Sequence, residues 1–208
     1  MSKSVAIITM STRGTRVGPN IAAFVKKTIQ GTMESDGISL TDVDVVKFNL
    51  PVYNEAAVPA MIPEKASFQY EHSKAWSAEI KKHDGYVLVI PEYNFAMAGG
   101  TKNAIDYLMH EWTGKPAAVV SYGGKGGVNA SEQVSGVLSA VGLKVAETRP
   151  NLAFVGQADT FAAVTAGKLG DETAKAWEAE HAESIRKAAT ELKELLLNPN
   201  TKENALKA

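Results

Sequence analysis

Residues 86–91 (YVLVIP) and 116–122 (PAAVVSY) are short, unbroken apolar runs, and each stops abruptly in a loop rich in Gly, Asn and Tyr. Between them, Ala104, Ile105, Leu108 and Met109 recur at helical spacing. A strand that is apolar on both faces is buried on both faces, which is the condition of a parallel sheet covered by helices. No other pattern in the chain narrows the fold as far. Ligands of such sheets sit outside the carboxyl ends of the strands, so the two loops are candidate binding loops on one sheet edge.

The alternation extends in both directions. Residues 5–10 read as a buried strand ended by the polar turn 11–20, and Pro19 suits a first helical turn. Ile21, Phe24, Val25, Thr28 and Ile29 then form one apolar stripe, with fraying expected near Gly31. Residues 40–48 read as a second strand, and 50–65, aperiodic and dotted with Pro, as a long loop of functional interest. A helix is expected over 66–82, the third and fourth strands over 86–90 and 117–122, and a helix over 130–141. A fifth strand is expected in two pieces, 144–148 and 153–155, around Pro150. A last helix over 171–197 carries Trp177, His181, Ile185, Ala188, Leu192 and Leu195 on its stripe and ends at Asn198-Pro199. The expected class is α/β, a doubly wound five-stranded parallel sheet with helices on both faces. The chain reads as a single domain over 1–198 with a flexible tail over 199–208.

Topology follows from which loops carry chemistry. The informative loops follow strands one, three and four. In the flavodoxin-like order 2-1-3-4-5 those strands are neighbours and their loops share one crevice; in the order 3-2-1-4-5-6 they do not. The first loop also lacks G-x-G-x-x-G, and Pro19 interrupts any phosphate-loop pattern ending in Gly-Lys-Ser/Thr. Spacing therefore favours a mononucleotide crevice.

Bulk properties exclude several classes. A net charge of −1 gives no general attraction to nucleic acid or anionic membrane. The absence of cysteine removes disulfides, thiolate metal sites and cysteine nucleophiles, and fits a cytoplasmic protein. The four histidines are scattered without a metal-ligand pair, and no Ser/His/Asp arrangement emerges from spacing. Neither a catalytic side chain nor a metal site is expected.

The three loops have complementary chemistry. Ser11, Thr12 and Thr15 offer hydroxyls, Arg13 and Arg16 offer charge, and a helix N-terminus opens behind them, a set suited to a phosphate dianion. In residues 91–100, Tyr93 and Phe95 are aromatics able to stack on a flat ring, with Asn94 between them as a loop-shaping or ligand-donating amide. In residues 121–127, four glycines in five positions leave the backbone bare beside Tyr122. The combination points to a phosphorylated, flat aromatic ligand, with chemistry carried by a cofactor.

These residues resemble the NAD(P)H-dependent FMN reductase and quinone reductase family of flavodoxin-like proteins. Pro91-Glu-Tyr-Asn94 with Lys102-Asn-Ala-Ile-Asp106 is similar to its P-x-Y-N…K-N-A-I-D signature, and Glu111-Trp-Thr-Gly-Lys-Pro116 with Ser121-Tyr-Gly-Gly124 to its E-W-x-G-K-P…S-Y-G-G segment. Residues 11–19 resemble its phosphate loop, and Leu50-Pro51, Glu55 and Pro59 its L-P…E…P loop. The resemblance spans about residues 5–155 and implies FMN with NADPH or NADH as reductant. It implies that Ser11, Arg13, Arg16, Val17, Gly18, Pro19 and Asn20 hold the phosphate. It further implies that Pro91, Glu92, Tyr93, Asn94 and Phe95 meet the isoalloxazine, with Ser121, Tyr122, Gly123 and Gly124 at its other edge. A small-molecule acceptor (quinone or free flavin) and a homodimer or homotetramer with the site near the interface are implied as well. The chain departs at Thr101, where the family usually has Leu, and in its small 96–100 turn. A flavin-binding redox sensor acting through a protein partner is the alternative reading, separated from an enzyme by steady-state turnover.

Overall fold

The computed structural model describes residues 3–199. Strands β1 (Ser4–Thr9), β2 (Ser39–Asp44) and β3 (Gly85–Tyr93) are joined in parallel, with β1 in the middle. A two-residue strand, β4 (Ala96–Met97), folds back antiparallel on the end of β3. Strand β5 (Pro116–Gly123) lies parallel to β3 on its other side. The sheet edge beyond β5 is filled by two fragments: β6 (Lys144–Val145) pairs with the start of β5, and β7 (Asn151–Ala153) with its end. With β6 and β7 as the halves of one position, this is the flavodoxin-like order 2-1-3-4-5. Pro150, which has no N–H to give a ladder, stands at the interruption and accepts from Ser121 N–H at 3.0 Å.

Strand alternation divides the core. Val5, Ile7, Val87, Val89 and Val120 face one layer, with α1 (Gly18–Glu34) and α7 (Ala182–Leu197) packed on it. Ile8, Leu88, Ile90 and Val119 face the other, covered by α2 (Glu71–Lys81), α3 (Gly99–Asp106) and α4 (Val128–Ala140). There Trp112 meets Trp76 and Tyr86 edge-on, with centroids 6.1 and 4.9 Å apart. Two further helices, α5 (Gln157–Ala166) and α6 (Asp171–Glu180), link β7 to α7. Among the described residues no helix is long and apolar enough to cross a membrane.

Several boundaries differ from those read in the sequence. β2 stops at Asp44 because its carboxylate accepts from Val46 N–H at 3.2 Å and starts a 3₁₀ turn over Val45–Phe48. Helix α1 runs through Gly31 to Glu34; burial of Ile29 and Met33 on either side outweighs a glycine cost of about 1 kcal/mol. The 171–197 helix is broken at His181. Trp177 of α6 and Ile185 of α7 are both buried in one core. Helix α5 has no counterpart in the sequence reading, since only Ala163 of its residues is buried and no apolar stripe marks it. The expected tail lies, after Pro199, outside the described residues.

The long loop after β2 is tied down. Asn103 Nδ2 donates to Pro51 O at 2.7 Å while its Oδ1 accepts from Tyr53 N–H at 2.9 Å, and Tyr107 Oη donates to Pro51 O at 3.0 Å. Glu55, almost fully buried, accepts from the N–H groups of Gln69 (2.8 Å) and Tyr70 (3.1 Å), which delays the start of α2 to Glu71. Burial alone would raise the Glu55 carboxyl, but the Ser73 hydroxyl and those two N–H groups outweigh it and hold the pKa below its ordinary value. A carboxyl lowered on folding contributes stability above its unfolded pKa, lost as pH falls through the folded one. Glu55→Gln is therefore expected to cost about 1–2 kcal/mol at pH 7. Denaturant titrations should show that gap closing only as pH falls below the ordinary pKa of a glutamate; a gap that persists once the carboxyl is protonated would mean that the charge is not what holds the loop.

Candidate active site

A cavity of about 420 Å³ opens at the carboxyl ends of β1, β3 and β5. The first loop contributes Arg13, Arg16 and Val17 to its lining, the second Glu92, Tyr93 and Asn94, and the third Tyr122, Gly123 and Gly124. Phe154, which follows β7, and Thr160, Ala163 and Val164 of α5 complete the wall. Ser11, Gly18, Pro19, Asn20, Pro91, Phe95 and Ser121 lie outside that lining, and each has a distinct place.

In the first loop, Ser11 is fully buried and its Oγ has no hydrogen-bond partner among the described residues. Gly18 opens α1 beside it: a Cβ there would fall on Ser11 Oγ and 2.9 Å from Tyr122 Oη. Helix α1 has no side-chain cap, but Pro19 has no N–H and the N–H groups of Asn20 and Ile21 already donate to Val17 O at 2.9 and 3.2 Å, so it is the Gly18 N–H that its first turn leaves for a ligand or solvent. The two arginines differ. Arg16 is bidentate to Asp44, at 2.6 and 3.0 Å, and also donates to Ser11 O at 3.1 Å. Arg13 is exposed and commits one N–H to Val164 O at 2.8 Å, leaving the rest of its fork open. Asn20 Nδ2 donates to Gly167 O at 2.8 Å, so it anchors the exit of α5, and Pro19 lines a separate groove.

The second loop is a tight hairpin. Asn94 (φ 50°) and Phe95 (φ 61°) are both left-handed, the requirement of a two-residue type I′ turn, and bring Tyr93 opposite Ala96. Phe95 is 71% exposed, so it is presented to solvent and not packed beneath the loop. Glu92 accepts from Ala130 N–H at 3.1 Å and so holds the first turn of α4. Pro91 is buried in the ladder opposite Tyr122.

The third loop owes its shape to Ser121, whose hydroxyl donates to Gly126 O at 2.8 Å and accepts from Asn151 Nδ2 at 2.6 Å. Gly126 (φ 78°) and Gly127 (φ 75°) pack so closely on Asn151 and Tyr122 that no side chain fits, whereas Gly124 faces open space. Burial pushes the Tyr122 phenol far above its ordinary pKa; the adjacent Ser11 hydroxyl opposes this without reversing it. Tyr122 is thus a neutral O–H near neutral pH.

Residues 4–158 match the family model for NADPH-dependent FMN reductase. The chain belongs to the NADPH-dependent FMN reductase family. It is 47% identical over 197 residues to an NAD(P)H-dependent FMN reductase of Nectria sp, covering 94% of this chain and 98% of that one. An NAD(P)H-dependent FMN reductase of Saccharomyces cerevisiae is 39% identical, covering 68% and 76% of the two chains. A quinone reductase of Pseudomonas putida is 30% identical, covering 82% and 86%. Among solved structures, an oxidoreductase from Corynebacterium diphtheriae superposes with a TM-score of 0.65 at 16% identity, covering 94% and 97%, a likeness of fold. Membership makes the protein an oxidoreductase that works with FMN and NADH or NADPH.

For an FMN reductase, the donor set fits the cofactor. The orphaned Ser11 hydroxyl, the Gly18 N–H and the open side of Arg13 suit a phosphate; Tyr93, Tyr122 and Phe154 give an aromatic border. Sequence reasoning missed Asp44, Phe154 and the α5 wall. The Asp44 partnership had no local signal, since Arg16 and Asp44 are 28 residues apart. Thr101, one of the two departures from the family pattern, is fully buried, and its hydroxyl reaches Met10 O at 3.5 Å; it ties α3 to β1 and does not face the cavity. Gly100 beside it makes room for Thr12, whose hydroxyl would stand 2.5 Å from a Cβ.

Proposed function

We propose that the protein takes a hydride equivalent from NADPH or NADH and delivers two electrons to a quinone, a free flavin or a similar flat acceptor, both substrates using the 420 Å³ cavity in turn. FMN supplies the redox chemistry when bound. The single observation that carries this reading is the convergence, on one sheet edge, of a phosphate-type loop, an aromatic loop and a bare glycine loop. In this reading Ser11, Arg13 and the Gly18 N–H hold the phosphate, with the Val17 backbone beside them. Arg16 acts on the same group through the loop, because Asp44 already occupies its fork. Tyr93 and Tyr122 border the ring, and the backbone at Gly123 and Gly124 meets its polar edge. Proximity and stacking account for the catalysis, with no side chain required as acid or base.

The exposed Phe95, Phe161 and Val164 around the rim support a homodimer or homotetramer that closes the cavity; light scattering tests the assembly. The function itself is tested by the absorbance spectrum of purified protein with added FMN, repeated anaerobically after NADPH. A flavin spectrum that bleaches on NADPH and returns on adding a quinone is expected. A colourless protein that oxidises neither NADPH nor NADH would overturn the proposal.

A further inference from the structure

A second concavity, of about 430 Å³, lies on the far side of the first loop, between α1 and the outer edge of β2. Its charged lining is three lysines (Lys26, Lys27, Lys47) and two aspartates (Asp42, Asp44). Both carboxylates are already neutralised: Asp42 accepts from Lys26 at 2.6 Å, and Asp44 is held bidentately by Arg16. Lys27 and Lys47 make no ion pair among the described residues. The groove therefore carries an uncompensated charge of about two in a chain whose net charge is −1.

Its position matters as much as its charge. Arg16 lines the proposed redox cavity and Asp44 lines the groove, so their ion pair is the partition between the two. Pro19 at the start of α1 belongs to the groove, and its neighbours Arg16 and Val17 to the cavity. A cavity of about 420 Å³ is near the lower end of the usual range for small-molecule sites, roughly 300–1,000 Å³. With FMN in it, the distal half of a nicotinamide dinucleotide has to rest elsewhere. What distinguishes NADPH from NADH is a phosphomonoester on that distal half, nearly a dianion at neutral pH, and two unpaired ammonium groups complement it.

From this juxtaposition we infer that the α1–β2 groove is a phosphate-recognition subsite for the reductant, with Lys27 and Lys47 as its specificity-determining residues, and that the protein prefers NADPH. The inference rests on the function proposed above but is tested independently of turnover. Calorimetric titration of the FMN-loaded protein with adenosine 2′,5′-bisphosphate, with adenosine 5′-monophosphate and with inorganic phosphate reads the subsite directly. The bisphosphate should bind at least about tenfold more tightly than either of the others, and Lys27→Ala/Lys47→Ala should abolish that advantage. In steady-state assays the same double variant should raise KM for NADPH by about tenfold, with KM for NADH and kcat unchanged. Equal binding of the three probes, or parallel shifts for NADPH and NADH, would overturn the subsite. An intact bisphosphate preference in a protein that oxidises neither nucleotide would instead remove the proposed function and leave the subsite standing.

Discussion

Gly18→Val is expected to weaken FMN binding by about ten- to a hundredfold while leaving a folded protein. The new side chain would begin where Ser11 Oγ stands and press on the Tyr122 hydroxyl, 2.9 Å from its Cβ. Overfilling a packed position costs typically 1–3 kcal/mol, and displacing the Ser11 hydroxyl forfeits a charge-assisted bond to phosphate worth about 1.5–3 kcal/mol. The overpacking falls on folding stability, whereas the lost bond alone corresponds to a loss of about ten- to a hundredfold in FMN affinity. Gly14→Ala is the matched control, because a Cβ at Gly14 meets nothing within 4 Å. Flavin fluorescence titration, alongside circular dichroism, separates lost binding from lost fold. A Gly18→Val protein that is folded and binds FMN as tightly as the parent would remove Ser11 and Gly18 from the phosphate site.

Why some of this was legible in the sequence and some was not has physical reasons. Strands β1, β3 and β5 are apolar on both faces, so they stand out whatever their neighbours, and their common edge follows once the sheet is parallel. The Asn94–Phe95 hairpin was hidden because the usual signal of a type I′ turn is Asn-Gly, and here an aromatic residue takes the second left-handed position. Helix α5 was hidden for the opposite reason: with only Ala163 buried it has no apolar periodicity, and it is held by polar ties, Arg13 to Val164 O and Asn20 to Gly167 O. Those ties use Arg13, whose charge suits an anion, and Asn20, which the family resemblance assigns to the phosphate. Charge in a loop thus reports that an anion is welcome, but which arginine is free to meet it depends on a carboxylate that arrives from β2.

The Arg16–Asp44 pair makes that distinction measurable. Its side chains are 14% and 21% exposed, and Asp44 accepts from Val46 N–H as well. Removing one partner leaves the other half-buried and unpaired, so Asp44→Ala should cost about 2–3 kcal/mol of stability, somewhat less than breaking a fully buried pair. The effect on FMN discriminates between the two roles open to Arg16. If its guanidinium grips phosphate directly, Asp44→Ala frees it and FMN affinity holds or rises. If it is a strut that fixes Ser11 through the 3.1 Å bond to its carbonyl, Asp44→Ala lets the loop drift and affinity falls about tenfold. Arg16→Ala should then lose about as much, and the double variant little more, because both changes break one device. Fluorescence titrations of the two single variants and the double variant complete the cycle. An affinity that holds or rises in Asp44→Ala while Arg16→Ala loses FMN would return Arg16 to the phosphate and leave Arg13 as its companion there.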